Sequence, residues 1–323
     1  MAGESDRITA ALPSPSFIEL PRDYFAHPDI GGGELWYITS SLKSGQRRFG
    51  STVMFSTAGG QGLLVSASVA DLASDSRETV VGRFEPDNVK LASDCLEVRT
   101  PTASLSGSFE EIAALRAQAG DSASIDLTLR PTAPVLHNCG TGSFPVAGQT
   151  TWEFAAPALA TTGTVTFSGE TFEVGGWSWL DRQWFDHFDA ATRQRFVFTW
   201  MGICLDNGDN LSLWDLTVGD PDGKAWATIA HPDGSHTIAS VVPVARDAAD
   251  FWTSESGNNY PRTWTVRIPK MDATLAVTNT QLYEILGGNF YTGILDITGS
   301  YQRKPVVAYG FTDLVGWNTT RHS

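Results

Sequence analysis

The sequence predicts an all-β protein built as two antiparallel β units, and three observations carry that expectation. Short segments rich in Val, Ile, Thr and aromatics alternate with period two between Gly, Asp, Asn or Pro. The breaks between them hold tight-turn chemistry. Strand–turn–strand units with an aromatic opening occur in both halves, Leu35-Trp36-Tyr37 through Phe55 and Phe196-Val197-Phe198 through Trp214. A chain of 323 residues suits one large β body or two fused domains.

Taken in order, residues 1–16, ending Leu12-Pro13-Ser14-Pro15-Ser16, are polar and proline-bearing without periodicity, and read as a flexible arm. Strands follow at Glu34–Leu42, Phe49–Phe55, Ile125–Leu129, Val165–Phe167, Phe196–Ile203, Leu211–Val218, Thr263–Ile268 and Ile294–Ile297. Ser168-Gly169, Asp206-Asn207-Gly208, Asp220-Pro221-Asp222-Gly223 and His231-Pro232-Asp233-Gly234 supply the fixed or positive φ values that hairpins need. One segment departs from period two. Ser108 and Glu111 form a capping box ahead of apolar Phe109, Ile112, Ala113 and Leu115, with Gly120 to close, so a helix is expected over Ser108–Ala119. A joint near Asp189–Gln194 divides a first β domain, 17–190, from a second, 191–323. Barrels of about eight such strands can enclose one small ligand.

Composition narrows the function classes. Apolar residues make up 41% of the chain and charged residues 18%, enough to fill cores and to exclude global disorder. The balance of 22 basic against 36 acidic residues gives a net charge of −14, which opposes binding to nucleic acid or anionic lipid. No stretch approaches the roughly 20 apolar residues of a membrane span, and Met1-Ala2-Gly3-Glu4-Ser5-Asp6 lacks the features of a signal peptide, so a cytoplasmic chain is expected. Cys95, Cys139 and Cys204 are far apart and read as ordinary thiols.

Tryptophan is where chemistry concentrates. Eleven are present, and Trp177, Trp179 and Trp184 crowd into Gly175 through His187. On a strand, Trp177, Trp179 and Asp181 share one face, in line, while Arg182 faces the other way. Either the indoles fill a barrel interior around a paired structural carboxylate, or they wall a pocket for a flat or polyunsaturated ligand. In the second case an apolar wall keeps Asp181 protonated, able to give a proton to an alkene or a hydrogen bond to a carbonyl. Asp181 and Trp179 are the candidate catalytic residues. Trp36, Tyr37, Trp152, Phe154, Trp177, Trp184, Trp214, Tyr291 and Trp317 are the candidate substrate-binding residues, around a cavity between the two β units or at their mouth. Asp186, His187 and Asp189 have loose metal-ligand spacing, His27 and His137 sit beside turn residues, and Ser178 has no hydrolase elbow. Neither a metal nor an organic cofactor is expected, and the expected partner is a hydrophobic small molecule.

Several ordered segments resemble a known family. Gly33-Glu34-Leu35-Trp36-Tyr37 with Gly45 through Gly50, Leu127-Thr128-Leu129 with Pro134 through His137, Gly169 through Trp184, Phe290-Tyr291-Thr292-Gly293 and Tyr309 through Trp317 together are similar to the lipocalin-like carotenoid 1,2-hydratase superfamily, over about residues 17–317. Kievitone hydratase, proteins described as secreted hydrolases and the fungal Diels–Alderases are members. The resemblance implies two lipocalin-like β-barrel domains. The hydratases carry a His-x-Trp pair ahead of a Tyr-x-Asp, and the matching positions here are Trp152-Glu153-Phe154 and Trp179-Leu180-Asp181, so the acid is kept and the His is not. Relatives often have Tyr-Trp-Glu-Gly where this chain has Phe290-Tyr291-Thr292-Gly293. The reading that follows is a cofactor-independent biosynthetic enzyme closing a ring in a polyene, prenyl or quinone-methide-like intermediate by Diels–Alder or hetero-Diels–Alder chemistry. Hydration or dehydration of an isoprenoid double bond is the alternative, and a non-enzymatic carrier the second alternative.

Overall fold

The alternating segments form two antiparallel sheets, each curled into a half-barrel. The structure, a computed structural model, describes residues 17–57, 62–74, 76–146, 148–187, 197–218, 222–254, 256–280, 284–285 and 290–317. The expected arm at 1–16 and the joint near Asp189–Gln194 lie outside the described residues.

The first sheet opens with a meander of β1 (Glu34–Ser44), β2 (Arg47–Ser56), β3 (Leu63–Asp71) and β4 (Ser76–Phe84). A second meander follows: β5 (Lys90–Leu91), β6 (Leu96–Arg99), β7 (Ala103–Gly107), β8 (Ala113–Gln118) and β9 (Ala123–Pro131). Two short pieces, β10 (Leu136–His137) and β11 (Ser143–Val146), precede a long hairpin, β12 (Gln149–Phe167) and β13 (Glu170–Phe185). That hairpin joins the meanders in the order β4-β3-β2-β1-β13-β12-β9-β8-β7-β6-β5. Its turn, Ser168-Gly169, has φ of 53° and 80°, both positive as a two-residue type I′ turn requires.

The second sheet repeats the plan with β14 (Phe198–Leu205), β15 (Asn210–Asp215), β16 (Ala225–Ala230), β17 (His236–Ser240), β18 (Ala249–Thr253), β19 (Asn259–Ile268), β20 (Ala273–Asn279), β21 (Glu284–Ile285), β22 (Phe290–Tyr301) and β23 (Lys304–Val315). Its order is β17-β16-β15-β14-β23-β22-β20-β19-β18. In both sheets the last strand returns to pair with the first, β13 on β1 and β23 on β14.

The helix expected over Ser108–Ala119 is absent. Ser108 caps only a tight turn, its Oγ accepting the Glu110 N–H at 3.1 Å and its N–H reaching the Ile112 carbonyl at 2.8 Å. β8 then runs through the rest, with Ala113, Leu115 and Ala117 buried and Ala114, Arg116 and Gln118 turned outward. Pairing with β7 and β9 satisfies its backbone. Tertiary ladder formation thus overrides the helix propensity of an Ala-rich run whose apolar residues also fit period two.

Side-chain alternation sorts the hydrophobic residues into three compartments. Trp36, Ile38 and Leu42 of β1 and Leu180 and Trp184 of β13 fill the concave side of the first sheet. Met201, Leu213, Tyr291, Leu314 and Trp317 fill that of the second. Between the sheets a third cluster forms from the opposite faces of the same strands: Ala155 and Trp179 from the first, Phe198, Trp200, Cys204, Trp214, Ile294 and Phe311 from the second, with Phe144 across from Trp214. A bulge between Ala156 and Leu159, with Ala158 at φ 49°, reverses the parity of β12, so that Ala156 and Leu159 both point into the first core.

Candidate active site

Strand register brings three carboxylates to the surface between the sheets. Asp181 lies on β13 opposite Tyr37 of β1 and Ala155 of β12, and Glu153 stands one step along β12, opposite Gln183. Asp313 comes from β23 of the second sheet, flanked in register by Trp200 and Thr292. Asp181 and Asp313 each keep 6% of their surface exposed and Glu153 1%, so the group is buried.

Their partners are specific. The Trp179 indole N–H donates to Asp181 Oδ1 at 2.7 Å. Tyr37 spans the interface, its hydroxyl donating to Asp313 Oδ1 at 2.7 Å and sharing a 2.7 Å hydrogen bond with the Thr292 hydroxyl. Gln183 Nε2 donates to Glu153 Oε2 at 2.8 Å, and Asn138 Nδ2 donates to Oε1. The Trp214 indole N–H lies near Glu153 without forming a well-made hydrogen bond. Asn138 Oδ1 has no partner in this orientation, and turning the amide over would let it accept a proton carried by Glu153.

Burial dominates the electrostatics. Loss of solvent raises Asp181 well above the usual carboxylate range, Asp313 raises it further, and the Trp179 hydrogen bond only partly offsets both. Glu153 is also held well above the range, by burial and then by repulsion from Asp181, against hydrogen bonds that favour its anion. Burial pushes Asp313 up to about 7, moderated by Tyr37 and Thr292. Burial and the adjacent Asp313 raise the Tyr37 phenol. At neutral pH this is a set of carboxylic acids, with Asp313 poised to exchange its proton.

The structure divides the candidate residues among its compartments. Asp181, Trp179, Tyr37 and Trp214 face the inter-sheet cluster, and Trp177, 39% exposed, stacks on Tyr309 at its edge. Trp36, Phe154 and Trp184 belong to the first core, with Trp152 packed against it. Tyr291 and Trp317 belong to the second core, where they bond Asn279 and Thr199. Trp152, matched above to the lost histidine, is therefore on the wrong face to meet Asp181. The β12 residue on the Asp181 face is Glu153. Arg182 points away from Asp181, as alternation requires, and is fully buried against Glu34, with its guanidinium 4.0 Å from the Trp36 ring centre. His27 bonds Asp23 in that same region, His137 packs on His236, and Ser178 belongs to a hydroxyl ladder with Ser40 and Thr161.

Glu153, Asp313, Thr292, Asn138 and Gln183 were not singled out from the sequence. The available signal was a lone acid inside an apolar strand: Glu153 between Trp152 and Phe154, and Asp313 two residues from Phe311 and next to Leu314. Among the described residues, no group of three or more His, Cys, Asp or Glu side chains has the geometry to hold a metal. Asp189 lies outside the described residues. No described helix is long and apolar enough to cross a membrane.

Comparison with known proteins places this architecture. Dehydratase asqC of Emericella nidulans is 24% identical over 208 residues, covering 59% of this chain and 57% of that protein. Kievitone hydratase of Fusarium solani subsp. phaseoli is 24% identical over 219 residues, covering 64% and 61%. The chain thus matches less than two thirds of the length of these curated relatives. Among solved structures, an AttH-like protein of Nitrosomonas europaea superposes with a TM-score of 0.78 at 20% identity, covering 95% of this chain and 98% of that one. Kievitone hydratase of Nectria haematococca gives 0.71 at 21% identity, covering 91% and 92%. The two sheets are accordingly tandem lipocalin-like folds. With the AttH-like profile matching residues 11–317, from before the first described strand to past the last, the chain belongs to the AttH-like family.

Proposed function

We propose that the protein is an acid–base enzyme that adds water to, or removes it from, a carbon–carbon double bond of a hydrophobic small molecule. One observation carries this reading: three buried carboxyl groups, two of them held well above the ordinary range and one near 7, converge on an aromatic inter-sheet surface. Two relatives named for dehydration and hydration support it.

In the elimination direction, the Asp181 carboxylic acid delivers its proton to the departing hydroxyl as the C–O bond breaks, with Trp179 holding its other oxygen. Asp313, bridged to Tyr37, takes the proton from the neighbouring carbon, the C–H electrons form the double bond, and water leaves. Asp181 regains a proton from Asp313 or solvent. Hydration is the reverse. The indole faces of Trp179, Trp200 and Trp214 stabilise positive charge developing on carbon. The reading requires no cofactor. Ring closure, the reading that follows from the resemblance, has support from the same flat walls and a use for the Asp181 proton as a hydrogen bond to a carbonyl, but it leaves Glu153 and the proton exchange at Asp313 without a role.

The test is incubation with a panel of unsaturated hydrophobic compounds that includes kievitone, in heavy-oxygen water. Label gain, or its reverse, loss of water, supports the proposal. A product of unchanged mass supports ring closure instead, and unchanged recovery of every compound supports a carrier.

A further inference from the structure

The opposite face of the β12–β13 hairpin carries a feature that this chemistry does not use. A cavity of about 340 Å³ opens beside Trp152 and Trp184, between them and the segment from Phe17 to Ile30. That volume admits a small organic molecule. Trp152 and Trp184 lie parallel to within 4°, ring centres 6.2 Å apart, with Trp184 buried and Trp152 half-buried on the cavity wall. Trp184 is fixed in place by the His27 ring, edge-on at 4.6 Å, and by the Arg182 guanidinium at 5.4 Å.

The polar groups around this wall are mostly acidic. Asp23 is 4% exposed. Its Oδ2 accepts the Glu19 N–H at 2.7 Å, and its Oδ1 meets His27 Nε2 at 3.1 Å and Arg22 at 2.8 Å. These bonds favour its anion and outweigh the cost of burial, holding it below the usual range. Glu19 and Asp29 add two carboxylates from exposed positions, and the one arginine on the lining is engaged with Asp23. Aromatic faces beside carboxylates recognise organic cations, and a net charge of −14 raises their local concentration.

We propose that this cavity is a second ligand site, distinct from the carboxylate cluster, that takes a small aromatic amine: its ring on Trp152, its ammonium group toward Glu19, Asp23 and Asp29. The probes are tryptamine and indole-3-acetate, the same ring with opposite charge, titrated calorimetrically into the full chain. Tryptamine should bind at least about tenfold more tightly than indole-3-acetate, and Trp152→Ala should weaken it about tenfold. Asp29→Asn, at an exposed position that threatens no core, should weaken it severalfold even if Trp152→Ala misfolds. Asp181→Asn should leave tryptamine binding unchanged, which separates this site from the proposed reaction. Equal binding of the two probes, no tryptamine binding up to about 5 mM, or binding indifferent to Asp29→Asn overturns the proposal.

Discussion

Asp181 and Asp313 divide the proposed work, and each can be tested by its amide. Asp181→Asn keeps shape and hydrogen bonding but has no proton to give. Turnover should fall at least about a hundredfold, while the melting temperature stays within a few degrees because one neutral group replaces another. Kinetics and a thermal melt check this together, and full activity in a folded variant would remove Asp181 from the mechanism. Asp313 sets a pH dependence whose sign follows from its raised value. An acid held above its unfolded value of 3.8 keeps its proton in the folded state after the unfolded chain has lost it. Its contribution is therefore complete below about 4 and is lost as pH rises through about 7. Asp181 and Glu153 are raised as well and act in the same direction, whereas Asp23 and Asp71, which are lowered, contribute above about 4 and lose their effect only as pH falls further. Above about pH 6.5, where the lowered His137 and His236 no longer oppose the trend, urea unfolding at several pH values up to 8 should show falling stability, with a shallower slope in Asp313→Asn. Asp181 was legible in the sequence because two indoles share its strand face. Glu153 and Asp313 were not, because each is a single acid in its own strand and becomes a partner only when the sheets pack.

At the scale of elements, the short strands and their turns were readable from alternation, but the length of β12 was not. Its run Ala155-Ala156-Pro157-Ala158-Leu159-Ala160 loses the period where the bulge changes parity, and no local pattern announces that correction. The Ala-rich β8 failed for the related reason that its apolar spacing suits two periods. Where β13 and β14 approach, space is set by a glycine. A Cβ on Gly202 would lie 2.8 Å from the Trp200 ring and 3.0 Å from that of Trp179. Gly202→Ala should therefore cost about 1–3 kcal/mol and, by displacing the indole that orients Asp181, lower turnover more than stability alone explains. Denaturant melts and kinetics on the same samples decide this, and a variant with unchanged turnover would mean that Trp179 does not position the acid.

For the whole molecule, the inter-sheet cluster belongs to neither sheet alone. Trp200 is 1% exposed, packs at 5.8 Å on Trp179 across the gap and donates from its indole to Ser212 at 3.1 Å. Calorimetry should show a single cooperative transition, because opening either sheet uncovers this surface of the other. Trp200→Ala should cost about 3–5 kcal/mol and split the transition in two. A single, merely shifted transition in the variant would show that the sheets are coupled elsewhere, for instance through Arg48 and Asp296.

The hairpin of β12 and β13 serves two compartments with consecutive residues: Asp181 faces the acids while Arg182 is buried with Glu34, and Glu153 faces them while Trp152 borders the second cavity. Replacement of any one residue is then a local event, but a change in length is not. Deleting one residue between Gly176 and Asp181 would carry the guanidinium of Arg182 toward Asp313, put Gln183 in its former place and leave Glu34 buried without its cation. Over evolutionary drift this segment can change single side chains away from the carboxylate cluster at local cost, whereas insertions and deletions should be confined to its ends, such as the turn at Ser168-Gly169.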